Sequence, residues 1–430
     1  MNTAKAKHHR LGRAVALLAM AMTSAVLAQA HDAPHASAAR KRPPPLAMGA
    51  AIAPDGALWI VGLDGEQHLF VQTSADEGRN WSAPRVLATG TDKIAADGEN
   101  RPKLAFDAAG KGYAVITYTE PLAKPYTGQI RMLRSGDGGR SFSAPFTVHQ
   151  DRQLITHRFE SVAFDARGTL HTLWIDKRDL EARLSAATAP SPVLSPAPSA
   201  ASGTARSGRR AKPVVDYRGA AVYRNESVDG GQTFGPDLKL ADHSCECCRI
   251  ALAPAPDGGL VALWRHVFEP NERDHAFAPV GPGPAPARAS FDRWAIDACP
   301  HHGPGLAPAA AGGYHAVWFG DRAGDARVRY GRLRIDGTPA TDPVALPDDR
   351  AEHAALAAAG RTVAIAWRSF DGQATRWRAW LSTDDGAHFS LKELGRSTDD
   401  NDHPLLVQQG PRILALWRTT QGVRVEHLAP

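Results

Sequence analysis

The sequence is poor in cysteine, in aromatic residues and in long apolar stretches. Only 4 of its 430 residues are cysteine, and aromatic residues make up 7%. Beyond residue 30 no apolar run is long enough to span a bilayer, so no membrane span is expected there. Hydrophobic residues nevertheless make up 43% of the chain, which is enough for a sizeable core.

Outside residues 1–30 the chain also carries almost no net charge. The formal net charge is +5, but Lys5, Lys7, Arg10 and Arg13 supply four of these charges within residues 1–30, which hold no acidic residue. The remainder, about +1, gives no case for nucleic-acid binding.

Residues 1–30 have the pattern of a signal peptide. The basic start precedes an apolar run over residues 14–27, and Ala28 and Ala30 supply the small residues of a cleavage site. We therefore expect export, to the periplasm or out of the cell, with residues 31–45 as a flexible lead-in. An uncleaved membrane anchor is the alternative.

Four segments share the Asp-box pattern Ser-x-Asp-x-Gly-x-x-aromatic. The aspartate of such a segment can accept backbone hydrogen bonds across a turn, the glycine supplies a positive φ, and the aromatic ring packs beneath. Each segment precedes a short apolar stretch, so the pattern predicts four hairpins of one kind. The four copies are residues 74–81, 135–142, 227–234 and 382–389.

A second repeat consists of an apolar strand, a turn with glycine, and another apolar strand that usually ends in tryptophan. Successive turn glycines are 54, 58, 90, 54, 48 and 50 residues apart. The long interval contains a stretch rich in Pro, Ser and Ala, residues 185–212, which predicts a disordered insert. The seven glycines are Gly56, Gly110, Gly168, Gly258, Gly312, Gly360 and Gly410.

A period near fifty residues has room for four short strands, which is one blade of a β-propeller. The sequence therefore predicts an all-β fold, a single propeller of four-stranded blades over residues 46–430. Seven repeats favour seven blades. Six is the alternative, because the final stretch is short and could complete the first blade.

The Asp-boxes resemble those of the sialidase superfamily, also called BNR-repeat proteins, over essentially all of residues 46–430. The resemblance implies the propeller fold, with the boxes on outer hairpins away from the catalytic face. It also implies that an active member would use three arginines for the substrate carboxylate, a Tyr–Glu nucleophile pair and an Asp acid/base. The cysteine segments described below resemble those of some bacterial sialidase-like proteins.

The chain departs from the catalytic pattern of that family. Residues 47–50 open the first repeat without the family's arginine, and Tyr330 is the last tyrosine although the family's nucleophilic tyrosine lies late in the chain. Because the retaining sialidase mechanism needs that tyrosine, sialidase activity is an alternative function here.

Residues that precede the first strand or follow the second strand of each blade converge on one face of a propeller, near its axis. The arginines at these positions could bind an anion such as an acidic glycan group, or could pair with acids between blades. The candidates for substrate binding or catalysis are Arg158, Glu160, Asp176, Arg265, Arg368 and Arg418.

All four cysteines fall on this same predicted face. Thiolates together with imidazoles suit copper or zinc ions, so the sequence predicts a transition-metal site there, which could be dinuclear. The candidate ligands are Cys245, Cys247, Cys248, Cys299, His301, His302, His353, His403, His157 and His266.

Two other roles stay open for the cysteines. Cysteines of exported proteins normally form disulfides, and Cys299 could bridge to residues 245–248. A second bridge within residues 245–248 would be strained, and strained bridges tend to be redox-active.

Three functions follow from these alternatives. The first is an exported, monomeric propeller with a copper, zinc or thiol redox site on its axial face. The second is a divergent sialidase or another glycoside hydrolase. The third is a non-catalytic platform that binds a glycan or a protein. No nucleotide cofactor is predicted.

Overall fold

The computed structural model describes residues 45–188, 217–298 and 300–429. The predicted signal peptide lies outside these ranges, as do Cys299 and all of the predicted lead-in except Pro45. Strands account for nearly all regular structure in the described residues, which confirms the predicted all-β class.

The described strands repeat as groups of four in chain order, antiparallel to their neighbours, and the last group has three strands. The first strands are β1 (Gly49–Ile52), β5 (Lys103–Phe106), β9 (His157–Phe164), β13 (Ala251–Pro254), β17 (Gly305–Pro308), β21 (Glu352–Ala359) and β25 (Leu405–Gln409). The second strands are β2 (Leu58–Leu63), β6 (Ala114–Pro121), β10 (Leu170–Asp176), β14 (Leu260–Phe268), β18 (Tyr314–Arg322), β22 (Thr362–Phe370) and β26 (Arg412–Thr419).

The two outer strands of each group complete the pattern. The third strands are β3 (Leu69–Ser74), β7 (Gly128–Ser135), β11 (Ala220–Ser227), β15 (Glu272–Pro279), β19 (Asp325–Leu333), β23 (Thr375–Ser382) and β27 (Gly422–Ala429). The fourth strands are β4 (Arg85–Val86), β8 (Phe146–Thr147), β12 (Leu238–Ser244), β16 (Ala287–Arg288), β20 (Val344–Ala345) and β24 (Ser390–Ser397). One pair, Ser244 with His266, joins two groups into a single eight-stranded sheet.

The first strand of each group packs against the first strand of the next. These contacts run in chain order from β1 to β25, and β25 in turn contacts β1. The second strands are the most deeply buried elements, as β10 illustrates with every residue buried. Burial on both faces explains why these strands read as continuous apolar runs in the sequence.

The predicted turn glycines are confirmed. All seven, from Gly56 to Gly410, have a positive φ, between 56° and 90°. A residue with a side chain is strained in that region, whereas glycine is not. The repeated glycine therefore fixes the hairpin between the first and second strands of every group.

Tryptophan on the second strand packs between neighbouring groups. Trp174, for example, is fully buried and packs with Ile130 and Met132 of the preceding group. Trp367 is likewise fully buried and packs with Val317 of the group before it. Each ring therefore joins two sheets rather than filling the interior of one.

The four Asp-box segments share one hydrogen-bond geometry. In the first, Asp76 Oδ1 accepts the backbone N–H of Asn80 at 2.8 Å, and Ser74 Oγ accepts that of Gly78 at 2.7 Å. The other three segments repeat both bonds at 2.8–2.9 Å. Each segment connects the third strand of a group to its fourth.

Acid should weaken the Asp-box turns. Hydrogen bonds from the side chain and backbone of Asn80, and from Ser74, lower the pKa of Asp76 from 3.8 to about 2. Because the folded-state pKa is depressed, the stabilisation is complete above the unfolded value and is lost as the pH falls from about 4 to about 2. We expect urea unfolding to show that Asp76→Asn destabilises the protein at pH 7, and that the difference from wild type shrinks towards pH 2. A difference independent of pH would contradict this account.

One helix, α1 (Arg178–Thr188), follows β10 directly. Asp176 Oδ1 accepts the backbone N–H of Arg178 at 2.8 Å, as the residue that caps a helix N-terminus does. The helix runs four residues into the segment 185–212 predicted as a disordered insert, so the prediction was wrong for residues 185–188. The rest of that segment lies outside the described residues. Within the described ranges no helix has the length and apolar character to cross a membrane.

Candidate functional site

Residues just before the first strands of several groups meet at one end of those strands. Arg101 donates two hydrogen bonds to Asp402, at 2.8 and 2.9 Å, and a third at 3.1 Å to the carbonyl of Met48. The backbone N–H of Met48 in turn donates to Asp402 at 3.1 Å. The first, second and last strand groups are therefore joined at this face, called the axial face below.

Three histidine rings stack on the axial face. The rings of His302 and His353 are nearly parallel, with centroids 4.2 Å apart, and those of His353 and His403 are 3.4 Å apart. Glu99 lies beside the stack, with its Oε1 3.2 Å from His353 Nδ1 and 4.0 Å from His403 Nδ1. We call Glu99, His302, His353 and His403 the histidine cluster.

The electrostatics of this cluster favour an ionised carboxylate beside neutral imidazoles. Burial opposes ionisation of Glu99, but the Arg249 guanidinium and His353 hold the pKa of Glu99 well below its usual value. Burial, followed by repulsion from His353, lowers the pKa of His302 to about 3. The same two causes lower the pKa of His403. Neutral imidazole nitrogens can accept hydrogen bonds or bind metal ions.

Three cysteines form a second cluster on the axial face. The Sγ atoms of Cys245, Cys247 and Cys248 all lie within 4.8 Å of one another, and we call these residues the cysteine cluster. Cys245 Sγ and Cys247 Sγ are 3.9 Å apart, whereas a disulfide bond is about 2 Å long. A bridge between these two cysteines, one of the pairings considered from the sequence, is therefore not formed.

The cysteine cluster is buried and has a cationic neighbour. Arg273 donates to Cys245 Sγ at 3.4 Å, and hydrogen bonding to Cys245, reinforced by burial, raises the pKa of Cys248. Cys299 lies outside the described residues, so a bridge to it stays a prediction. Metal binding and redox chemistry at this cluster also stay predictions.

A groove of about 570 Å³ opens beside the cysteine cluster. Tyr126, which is 80% exposed, lines this groove, and Thr156 anchors the loop that carries Tyr126 by donating to the Tyr126 carbonyl at 2.8 Å. We call this cavity the Tyr126 groove. Its polar lining consists of Asp97, Lys124, Tyr126, Thr127, Thr156, Arg158, Lys177, Glu246, Cys247 and His301.

The arginines predicted as an anion-binding set do not act together. Arg265 is buried and donates to the carbonyls of His302 and Phe319, at 3.0 and 2.7 Å. Arg418 donates to the carbonyl of Leu63 at 3.1 Å.

The other two arginines of that set differ from each other. Arg368 donates to Asn401 at 2.9 Å and lies 3.4 Å from Glu352. Arg158 lies in the Tyr126 groove, 3.8 Å from Asp97. Of the four predicted arginines, it is the one that lines this groove.

The two predicted carboxylates are buried and already bonded. Asp176 accepts hydrogen bonds from Trp174 at 2.8 Å and from Arg178 at 2.7 Å. Glu160 lies 3.0 Å from Thr119 Oγ1 and 3.4 Å from Lys103 Nζ. Neither carboxylate lines the Tyr126 groove, so the structure gives neither one direct contact with a ligand there.

The remaining histidines named as ligands lie outside the histidine cluster. His157 stacks on His149, with ring centroids 4.0 Å apart, and His266 packs on Phe268 at 4.5 Å. His301 lines the Tyr126 groove instead. The residues predicted as metal ligands therefore lie in several separate places and not around one site.

Glu99 and Tyr126 are not among the candidates predicted from the sequence. Glu99 lies four residues before Lys103, the start of β5, just as the predicted ligand His301 lies four residues before Gly305, the start of β17. Extending the positional comparison to the second group would therefore have found Glu99. Tyr126 lies in the loop between β6 and β7, and no repeat marks it.

Comparison with known proteins identifies the fold but no family. No protein-family model and no curated protein matches this chain. Among solved structures, a lectin from Burkholderia pseudomallei, BP39L, has a TM-score of 0.56 at 10% identity and covers 90% of this chain and 96% of its own.

Two glycan-active enzymes are also similar in structure. An ulvan lyase of polysaccharide lyase family PL25, bound to a glucuronic acid–sulfated rhamnose unit, has a TM-score of 0.52 at 11% identity, over 91% of this chain and 96% of that one. The Hadza microbial sialidase Hz136 has a TM-score of 0.48 at 14% identity, over 89% of this chain and 65% of that one. The lectin and the ulvan lyase, the two likenesses with a TM-score above 0.5, support the propeller-like fold that the repeats predicted.

Proposed function

We propose that this protein binds an acidic saccharide in the Tyr126 groove. The observation that carries the proposal is the groove itself, in which an exposed tyrosine ring lies in the same 570 Å³ cavity as Arg158 and Lys124. The lectin and the lyase described above support the same reading through the fold, since both are named for carbohydrate binding or cleavage.

The lining suits a sugar that carries a carboxylate or a sulfate. A tyrosine ring offers an apolar face and a polar edge, which matches the mixed surface of a sugar ring. Arginine binds carboxylates and sulfate-like groups through paired N–H donors. Lys177 is neutralised by its close ion pair with Glu246. Arg158 has only the longer, 3.8 Å approach to Asp97, whose side chain is 70% exposed, so Arg158 and Lys124 are the lining cations available to a ligand.

We limit the proposal to binding and assign no catalytic step. The retaining sialidase mechanism requires a nucleophile and an acid/base next to the substrate. The predicted carboxylates Glu160 and Asp176 are both buried in other hydrogen bonds. A saccharide-binding protein is therefore the form of the glycan hypothesis that this geometry supports.

Titration calorimetry with an oligosaccharide of glucuronic acid, and with a neutral oligosaccharide of equal length, tests the proposal. We expect the acidic ligand to bind more tightly. Arg158→Ala should weaken its binding about tenfold or more, because a charge-assisted hydrogen bond is lost. Tyr126→Ala should weaken the binding of both oligosaccharides.

Phe370→Ala is the matched control, because this aromatic ring is 52% exposed and lies outside the groove. It should leave affinity unchanged. Absence of binding to either oligosaccharide, or equal affinity of wild type and Arg158→Ala, would refute the proposal.

We also propose that the strand groups form seven blades rather than six. The support is the chain of contacts between first strands, which runs from β1 to β25 and returns to β1. Seven first strands take part, one from each group. Export, predicted from residues 1–30, remains part of the proposed function.

Copper, zinc or thiol redox chemistry at the cysteine cluster is the second candidate function. Its support is the approach of three Sγ atoms within 4.8 Å, since thiolates are strong ligands for these ions. Metal analysis of protein purified before and after reduction tests it. Less than about 0.2 equivalents of any transition metal in both samples would refute the metal form.

A further inference from the structure

We propose that Glu99, His353 and His403 bind one divalent first-row transition-metal ion, with His302 available as a further ligand. The proposal is independent of saccharide binding and of the cysteine cluster, because it concerns a separate set of oxygen and nitrogen donors. Glu99 is the key member, since it supplies the charged ligand.

The donor atoms already lie close together. One ligand atom from each of Glu99, His353 and His403 comes within 4.8 Å of the other two. His302, Glu352 and His353 form an overlapping group that meets the same limit. Ligands about 2 Å from a shared ion lie roughly 3–4 Å from one another. The rings of His353 and His403 are within 10° of parallel, so one of them must rotate out of the stack for both nitrogens to point at one ion.

One buried nitrogen in the cluster has no protein partner. His403 Nδ1 makes no hydrogen bond within the described residues, and its ring is only 11% exposed. A buried polar atom without a partner destabilises the folded protein. An ion between Glu99 Oε1 and His403 Nδ1, now 4.0 Å apart, would satisfy that nitrogen.

Hydrogen bonds from Arg249 hold Glu99 and the backbone next to His353 in position. Arg249 donates to both oxygens of Glu99, at 2.8 and 3.0 Å, and to the carbonyl of Ala354 next to His353, at 2.6 Å. Outer-shell hydrogen bonds of this kind orient metal ligands and tune their affinity. Arg249 can retain Oε2 of Glu99 while Oε1 faces the imidazoles.

The backbone is also adapted to bring these side chains together. His353 has a φ of 52°, which is uncommon for a residue with a side chain and often marks a functional site. Gly98 has a φ of 62°, and a Cβ there would lie 2.8 Å from the His403 ring. A Cβ on Gly303 would meet Arg249 Cγ at 2.1 Å. Both glycines therefore make room for the cluster.

The site can be reached by an ion. Glu99, Arg249 and His403 all line a cavity of about 320 Å³, which the first strands of the groups surround. A purely structural ion pair between Glu99 and Arg249 would not require three stacked imidazoles beside it. His403, at one end of the stack, brings the imidazoles to the edge of this cavity.

The donor set indicates the class of ion. Imidazole nitrogens with one carboxylate suit zinc, copper, iron or nickel, and leave positions open for water or another ligand. Calcium and magnesium prefer oxygen donors alone. Soft ions such as Cu(I) would prefer the cysteine cluster. We therefore infer a divalent ion of the zinc, copper or iron type.

Cobalt(II) is the probe that separates this site from the cysteine cluster. Thiolate-bound Co²⁺ has a sulfur-to-metal charge-transfer band in the near ultraviolet, whereas nitrogen and oxygen ligands give only visible d–d bands. We expect protein with alkylated thiols to bind one equivalent of Co²⁺ with d–d bands alone, and Zn²⁺ to displace it.

Glu99→Gln and His403→Ala should each weaken Co²⁺ binding about 100-fold or more, since even outer-shell changes cost 10–100-fold. His149→Ala is the matched control, because His149 also stacks on a histidine but belongs to none of the three-ligand groups. It should leave affinity unchanged.

Thermal melting identifies any variant that has lost its fold. If His403→Ala is unfolded, the affinity of Glu99→Gln and the spectrum of the wild type test the metal site. Glu99→Gln should keep its fold because glutamine has the size of glutamate. Failure of the alkylated wild type to bind Co²⁺, or wild-type affinity in folded Glu99→Gln, would overturn the proposal.

Discussion

Arg101→Ala is expected to lower the free energy of unfolding by about 3–5 kcal/mol, because it leaves the buried Asp402 carboxylate without its cation. The two side chains are 9% and 2% exposed, and they are joined by two hydrogen bonds. The pair connects the second strand group with the last one, so its loss affects the association of these groups. Urea denaturation at pH 7 measures the change.

Two further variants make this result interpretable. Arg327→Ala removes a cation from an exposed pair with Asp325, whose side chains are 37% and 49% exposed, and should leave the free energy of unfolding nearly unchanged because solvent screens the pair. Asp402→Asn in the Arg101→Ala background removes the uncompensated charge, so the double variant should be more stable than Arg101→Ala alone. Equal effects of Arg101→Ala and Arg327→Ala would show that burial of the pair does not matter.

Gly139→Ala is expected to destabilise the protein by about 2–4 kcal/mol. Gly139 has a φ of 85°, and a Cβ there would lie 2.9 Å from Cη2 of Trp59 in the preceding strand group. Forcing alanine into the left-handed region costs about 1–2 kcal/mol, and overpacking adds about 1–3 kcal/mol. Thermal and urea unfolding measure the loss.

The same Asp-box provides the control. Gly136 is exposed, has no positive φ, and has open space where a Cβ would lie. Gly136→Ala should therefore change stability by less than about 1 kcal/mol, and alanine at a permissive position can even stabilise. If the two substitutions cost the same, contact between the Asp-box and the preceding group does not explain the motif.

The fold was largely readable from the sequence because it repeats. One strand–glycine–strand unit is weak evidence, but Gly56 and its six counterparts recur at similar intervals and all adopt a positive φ. The Asp-boxes carry the same kind of information, since the serine and the aspartate of each box, Ser74 and Asp76 in the first, accept the same two backbone hydrogen bonds. When a short segment determines its own local geometry and recurs along the chain, that geometry can be recognised from the sequence.

The site was predicted only in outline, for a physical reason. Position relative to the first strands placed His302, His353 and His403 on one face, but not which side chains point together. Arg265 occupies an equivalent position and instead satisfies backbone carbonyls between groups. Side-chain direction depends on tertiary partners such as Glu99 and Arg249, which lie 150 residues apart.

The contacts between β25–β27 and β1–β4 set a condition on the order of folding. A Cβ on Gly78, in the first Asp-box, would lie 2.3 Å from Val425 in β27, and Asp402 holds Met48. Synthesis delivers β1 first and β27 last, so the first group must wait for the last to cover its free side. A nascent chain that stops before β25 leaves the free side of the first group exposed to proteases and chaperones. Addition of β25–β27 covers that side.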